Sequence, residues 1–395
     1  MPKLAVVTRR GAERIRAGHP WIYRSDIARA DAEPGDVVRV TGEGKRPLGW
    51  AYWSSLSQIA LRMIALEHEQ DIIDEGVWLR ERLTAAAKYR ADLDIDGSAW
   101  RLVNAEADRL PATIVDRYAD ASGTYFVVQT LSQGADRRLG LLVELLVELF
   151  APRGVLARND PKVRQLEGLD SQVAILYGEI PDRIAVREGN ITLQADLRQG
   201  QKTGAFLDQR ENHQAAGRYA RGRVLDAFTY HGGFALQMAA RADSVLALDS
   251  SAAAVAATLE NARLNQLGNI EAREVNVFDE LRELESSGAT FDVVVLDPPA
   301  FARNKAAVER AVAGYKEINL RAMRLLAPGG HLVTCSCSYN VGEGLFLEVL
   351  RDAAIDSRRT MTLVEKRMQS RDHPILLAVP ETYYLKCMVL RRVDD

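Results

Sequence analysis

The strongest constraint in this sequence is a change of rhythm after Asn212. From there short apolar runs alternate with helical stretches. Arg223–Ala227 is followed by a helix from Phe234, and Val245–Asp249 by one from Ala252. Phe291–Leu296 precedes a helix around Gly314–Leu326, and His331–Cys335 one over Leu345–Ala354. Short, mainly apolar strands, each followed by a helix, are buried on both faces and run parallel. That pattern predicts a doubly wound α/β sheet. Thr360–Lys366 and Tyr383–Arg392 are expected to close it as a hairpin.

A chain of 395 residues is too long for one ordinary core. Residues 1–70 read as a small β-rich module with a helix over Arg10–Ala17 and strand-like runs Asp36–Val40, Leu48–Trp53 and Gln58–Ile64. The polar stretch Glu67–Asp71 sets a boundary. Residues 71–182 read as a middle α+β domain, with a helix over Ile72–Tyr89, strands Ala112–Tyr118 and Tyr125–Thr130, and a helix over Arg137–Phe150. The sheet domain takes residues 183–395, beginning with a hairpin in which Arg183–Arg187 and Ile191–Asp196 flank Glu188-Gly189-Asn190.

The opening residues lack an apolar run long enough for a signal peptide, and charges interrupt every later apolar stretch. No membrane association is expected, and a cytoplasmic location is. Three cysteines cannot frame a small disulfide fold, and Cys335 and Cys337, one residue apart, are too few and too close for an ordinary zinc site, so no metal is expected. The net charge of −3 announces no polyanion partner, but its distribution is uneven. Lys3, Arg9, Arg10, Arg14, Arg16 and Arg24 lie close together, opposed before Ser25 only by Glu13. Such a cluster can neutralise RNA phosphates; the alternative is a solvated helix face. Trp21, Tyr23, Trp50, Tyr52 and Trp53 are either stacking platforms for bases or the core of a small barrel.

Within the sheet domain, Leu225-Asp226-Ala227-Phe228-Thr229-Tyr230-His231-Gly232-Gly233-Phe234 forms a strand, a tight turn and a helix start. Glycines at such a turn let a ligand approach the backbone. Asp249 ends the next strand about 20 residues on, where an acid can accept both ribose hydroxyls. An adenosine pocket is implied. Phe228 and Tyr230 stand where a pyrophosphate cradle needs small residues, and Asp226 repels phosphate while suiting a cationic amino acid or sulfonium. S-adenosylmethionine therefore fits better than a dinucleotide.

Asp297-Pro298-Pro299-Ala300-Phe301 follows the apolar strand FDVVVL, which delivers an acid to the same sheet edge. The strand His331–Cys335 delivers thiols there, Cys335 or Cys337. A thiolate matters because C5 of a pyrimidine is a weak nucleophile until a nucleophile adds at C6. An acid at Asp297 would stabilise the negative charge that develops on the ring. The residue chemistry alone does not choose between the two cysteines.

Gly200-Gln201-Lys202-Thr203-Gly204-Ala205-Phe206-Leu207-Asp208-Gln209-Arg210-Glu211-Asn212, the turn LDAFTYHGGFAL, the loop DPPAF and the string CSCS resemble the ribosomal RNA large subunit methyltransferase I family of 5-methylcytosine enzymes. RAGHPWIYRSDI resembles the start of that family's N-terminal PUA domain, an RNA-binding module. The resemblance spans nearly the whole chain. It implies a PUA β-barrel, a middle α+β domain and a Rossmann-like class I methyltransferase domain. It also implies S-adenosylmethionine as cofactor and cytosine C5 in 23S ribosomal RNA as target, and it admits a homodimer. By the resemblance, the cofactor contacts fall on Thr203, Phe206, Asp208, Gln209, Arg210, Asp226, Phe228, Tyr230, Gly233, Asp249, Ser250 and Asp297, with Asn276 beside the adenine. Cys337 matches the nucleophile, while Cys335 occupies a place the family does not require to be cysteine. The acid-Pro loop carries Pro299 where some related cytosine enzymes carry a second cysteine for product release. Arg9, Arg10, Arg14, Arg16 and Arg24 are the candidate RNA contacts.

Three other readings are compatible with these residues. One is an amino- or guanine-directed RNA methyltransferase in which Cys337 is structural. Another is an RNA-binding assembly factor with a vestigial cofactor fold. A nicotinamide-linked oxidoreductase is disfavoured by the bulky turn at Phe228 and Tyr230.

Overall fold

Pro47–Trp53 and Ile59–Leu66 carry apolar side chains at almost every position, so strands formed there must bury both faces. The computed structural model, which describes residues 3–67, 74–302 and 305–394, shows how they do so. They lie in a six-stranded sheet whose order is Trp21–Tyr23, Ile59–Leu66, Pro47–Trp53, Val37–Gly42, Leu4–Val7 and Ile27–Asp31. Ala51, Trp53, Leu61 and Met63 pack inward against Ile22, Val38 and Val40. Their neighbours Trp50, Tyr52, Ile64 and Ala65 point the other way, into a cluster with Trp78, Leu83, Phe126 and Leu146. The residues expected to form two domains, 1–70 and 71–182, thus share a core. The expected boundary at 70/71 lies outside the described residues.

That second cluster belongs to a five-stranded sheet ordered Gln172–Gly178, Gly154–Asn159, Gly123–Thr130, Thr113–Asp120 and Ala99–Asn104. The helices Glu75–Ala91 and Leu139–Phe150 pack into the same core. The single helix expected over Arg137–Phe150 is instead two, Gln133–Arg137 and Leu139–Phe150. The break is at Arg138, whose guanidinium bonds Glu75 at 2.8 Å and the carbonyls of Gly35 and Gly134. All of this lies in one compact unit, Met1–Val186 with Ala195–Leu207 and Asp372–Thr382.

The second unit comprises Arg187–Gln194, Asp208–Arg371 and Tyr383–Asp395. Its sheet has seven strands, β1 (Arg223–Ala227), β2 (Ser244–Asp249), β3 (Ile270–Glu274), β4 (Phe291–Leu296), β5 (Leu326–Ser336), β6 (Met361–Met368) and β7 (Lys386–Arg392). Their spatial order is β3-β2-β1-β4-β5-β7-β6. The first five are parallel, and β7 runs antiparallel to both β5 and β6. Alternation covers both faces. Val294, Leu296 and Leu332 pack under the helices Val308–Leu325 and Glu343–Ser357, whereas Val293, Val295 and Val333 pack against the helix Gly233–Ala239. The doubly wound sheet expected from the strand–helix alternation is the one observed. Strand order reverses between β1 and β4, where Ala227 sits opposite Leu296. In sheets of this kind the crevice beyond the strand ends at that point is where ligands bind.

Candidate active site

The three strands at the switch each end in a residue singled out from the sequence. β1 carries Asp226 at its penultimate position, β4 is followed by Asp297, and β5 by Cys337. The Asp297 amide donates to the Ala227 carbonyl at 3.3 Å, which ties the two acid-bearing segments together.

Asp226 is fully buried. Its Oδ2 accepts from Thr229 Oγ1 at 2.7 Å and from the Ala235 amide at 3.0 Å. Its Oδ1 is buried without a hydrogen-bond partner among the described residues. Burial pushes this carboxyl up to about 7, and the neighbouring Asp297 charge adds to the effect. An orphaned, desolvated carboxylate oxygen is costly unless a cation meets it. The donor set therefore fits a cofactor that brings a cationic amino-acid group.

The turn after Asp226 is strained. Phe228 and Tyr230 take left-handed φ angles of 68° and 50°, and Gly232 one of 88°. For two aromatic residues this costs on the order of 1–3 kcal/mol each, and the surroundings hold it in place. The Phe228 and Thr229 amides donate to the Leu248 carbonyl, Thr258 Oγ1 donates to the Tyr230 carbonyl, and Asn261 Nδ2 donates to that of His231. Asp249 at the end of β2 accepts from the Tyr230 amide at 3.0 Å and the Ser251 amide at 2.9 Å. Each Asp249 oxygen thus accepts one backbone amide. Ser250, next to it, is exposed. Asn276 caps the helix Val277–Ser286, its Oδ1 accepting from the Phe278 amide at 3.0 Å.

Gly233 is glycine for a reason the sequence did not suggest: a Cβ there would collide with the ring of His213. That histidine is buried against Phe234 and bonds Glu188 at 2.8 Å through Nδ1. Burial alone would lower its pKa, but the Glu188 charge and hydrogen bond, with the Asp297 and Asp226 charges, outweigh burial and raise it. Neither residue was singled out from the sequence, since a lone His and a hairpin Glu carry no local signal.

Of the residues before the sheet, Gln209 Nε2 donates to Asp297 Oδ1 at 2.9 Å, and its Oε1 accepts from Asn212 Nδ2 at 2.7 Å. Asp208 accepts from the Tyr384 hydroxyl at 2.8 Å, and Arg210 is buried. Thr203 and Phe206 belong to the first unit. There Thr203 donates to Asp116 at 2.6 Å, and the Lys202 ammonium sits 4.3 Å from the Phe206 ring centre.

The two thiols differ in environment. Cys335 is fully buried, sits opposite Cys387 in the β5–β7 ladder, and is pushed well up in pKa by that burial. Cys337 lies just past the strand end and is partly exposed, with Sγ 3.8 Å from the Pro298 carbonyl oxygen in the acid-Pro loop. Ser338 anchors that loop, its Oγ accepting from the Ala302 amide at 3.2 Å and lying 2.9 Å from the Tyr315 hydroxyl.

In the first unit the basic cluster is more neutralised than the sequence suggested. The helix Arg9–Arg16 points Arg10 at the buried Asp26 (2.5 Å) and brings Arg14 to 3.6 Å from it, while Arg9 pairs with Glu13 at 2.9 Å. Arg24 holds the carbonyls of Ser54 and Ser57 and covers the Trp53 ring. Arg16 is exposed. Trp50, Tyr52 and Trp53 are buried, and Trp21 Nε1 donates to Glu106 at 2.9 Å.

A PUA-like domain signature matches residues 5–66, and that of S-adenosylmethionine-dependent methyltransferases matches residues 152–386. The chain is 40% identical over 385 residues to "Ribosomal RNA large subunit methyltransferase I" of Tolumonas auensis, covering 95% of this chain and 96% of that one. The chain belongs to the ribosomal RNA large subunit methyltransferase I family. Another member of the family, from Aliivibrio fischeri, is 38% identical over 387 residues, covering 96% of each chain. A putative methyltransferase solved in complex with SAH has the same fold, with a TM-score of 0.83 at 20% identity, covering 99% of this chain and 100% of that one. The protein is thus an S-adenosylmethionine-dependent methyltransferase with an N-terminal PUA-like domain, as expected from its motifs. Among the described residues no helix is long and apolar enough to cross a membrane.

Proposed function

We propose that this protein methylates C5 of a cytosine in large-subunit (23S) ribosomal RNA, using Cys337 as the nucleophile. The observation that carries the reading is the position of Cys337. It is the partly exposed thiol at the end of β5, against the loop that carries Asp297 and two strands over from β1, which carries Asp226. The relatives' names supply the ribosomal RNA, and a cytoplasmic location goes with that substrate.

When bound, S-adenosylmethionine supplies an electrophilic methyl group. Asp226 would receive its cationic amino-acid end and Asp249 its ribose. The Cys337 thiolate adds to C6 of the cytosine, forming an S–C6 bond and moving electron density to C5. Asp297, oriented by Gln209, enters this step protonated and donates that proton to the ring at N3, so the negative charge created by the attack is neutralised where it develops; the proton returns to Asp297 once C5 is methylated. Once C5 carries the methyl group, its original proton leaves to water. The S–C6 bond then breaks and the thiolate returns to Cys337. A base in a duplex must leave its stack to reach such a crevice. Arg16, Arg9 and the neighbouring arginines on the same helix are the proposed phosphate contacts; Arg24 is committed to the Ser54 and Ser57 carbonyls.

Cys337→Ala tests this directly. Turnover should be lost almost completely while calorimetry still records S-adenosylmethionine binding. An amino- or guanine-directed enzyme would lose little, and mass spectrometry of the modified nucleoside would then find the methyl group off C5.

A further inference from the structure

β7 enters the sheet antiparallel to β5, and the pairing sets Lys386 opposite Ser336, one residue before Cys337. Lys386 is among the largest fully buried side chains of the protein. Its Nζ donates to the carbonyls of Ser338 at 2.8 Å and Tyr384 at 2.9 Å, so it is fixed just behind the nucleophile. A buried ammonium is costly unless negative charge compensates it. Two groups act on it in that sense, Cys337 and Glu343. Glu343 is already engaged, by Lys366 at 2.7 Å and by the Tyr383 hydroxyl at 2.8 Å. Two other titratable groups stand near Cys337: Tyr315, from the helix Val308–Leu325, which is raised mainly by its burial, and Asp297, on the loop that the sulfur meets.

We propose that Lys386 is a positioning residue for the reaction: its ammonium, pinned by two carbonyls, holds the Cys337 sulfur as a thiolate at the end of β5. The argument is one of reciprocity. If charge on the sulfur stabilises the ammonium, the ammonium stabilises charge on the sulfur by the same free energy. No proton passes between them in the resting state; the thiol proton goes to solvent, and Lys386 supplies the field. Burial lowers Lys386 to about 8, so near neutral pH it is mostly charged and above that it loses its effect. No sequence motif announces this lysine, because its role depends on a strand pairing between segments far apart in the chain. Its part in catalysis rests on Cys337 being the nucleophile.

The test is the pH dependence of iodoacetamide alkylation at Cys337, read by mass spectrometry of its peptide in the full-length protein; Cys335 and Cys387 are buried. Wild-type Cys337 should titrate below the ordinary thiol value of about 8.5. Lys386→Met should move the midpoint up by about one unit or more, slowing alkylation at neutral pH about tenfold. Lys386→Arg should restore most of the rate, and S-adenosylmethionine affinity should hold in both variants. An unshifted midpoint in Lys386→Met overturns the proposal. So does a wild-type midpoint at or above the ordinary value, which needs no variant to fold. A shifted midpoint alongside full turnover by Cys337→Ala would overturn the nucleophile, and with it the catalytic part of Lys386, while leaving the electrostatic coupling intact.

Discussion

Asp226→Asn should make the protein without cofactor more stable and unable to bind S-adenosylmethionine well. Asp226 is fully buried, and its pKa rises from 3.8 to about 7. The sign follows from proton binding. Between those two values the folded protein holds a proton at Asp226 that the unfolded chain has released, so this group favours folding at low pH. That contribution is lost as pH rises through the folded-state pKa. At about 1.36 kcal/mol per unit, ionising Asp226 costs the fold about 4 kcal/mol by neutral pH. Asparagine never ionises and can still accept from Thr229 and Ala235 at one oxygen. The other titrating groups are common to both proteins, so the stability gap reports Asp226 together with its coupling to Asp297 and His213. Integrated between pH 5 and pH 8, the gap should widen in favour of the variant by about 2–3 kcal/mol. Urea unfolding across that range, with and without S-adenosylmethionine, measures it. The cofactor should stabilise the wild type and barely move the variant. A gap independent of pH, or equal stabilisation of both proteins by the cofactor, would refute the role given to this carboxylate.

Gln209→Leu removes the hydrogen bond to Asp297, which becomes a carboxylate as it gives up its proton; at about 1.5–3 kcal/mol for a bond to a charged group, single-turnover methylation should fall by roughly 10–100-fold. Arg16→Glu should weaken RNA binding at all sequences alike and reduce the slope of log affinity against log salt by about one, as measured by filter binding or anisotropy. Gly233→Ala should destabilise the sheet domain by about 1–3 kcal/mol in thermal unfolding, because the added Cβ displaces the His213 ring.

The parts of the site that were legible in the sequence are those carried by strand ends. β1 and β4 were expected at the bounds observed, since Arg223–Ala227 and Phe291–Leu296 are apolar where both faces are buried. β3, Ile270–Glu274, was missed because IEARE is an edge strand with an exposed, charged face and shows no apolar run. The helix after β4 begins at Val308, well before the expected Gly314, its first turn being too polar to register as amphipathic. Several strands of the first unit, among them Gly154–Asn159 and Gln172–Gly178, also went unread. Aromatics in Leu48–Trp53 left two readings open, and alternation resolves them: successive side chains feed different cores. Which of Cys335 and Cys337 is the accessible thiol depended on burial, which the residue pattern does not show. Asp26, which absorbs Arg10 and Arg14, lies just beyond the window in which opposing charge was counted. Partners brought together by folding, such as His213 with Glu188 or Lys386 with Ser338, leave no local pattern.

The most direct test of covalent cytosine chemistry uses an RNA substrate carrying 5-fluorocytosine at the modified position, with S-adenosylmethionine present. Fluorine cannot leave C5 as the proton does, so the adduct should persist as a denaturation-resistant protein–RNA species whose digest joins the Cys337 peptide to a methylated nucleotide. Wild-type protein that methylates ordinary RNA yet yields no such species, or yields it equally with Cys337→Ala, would contradict the account.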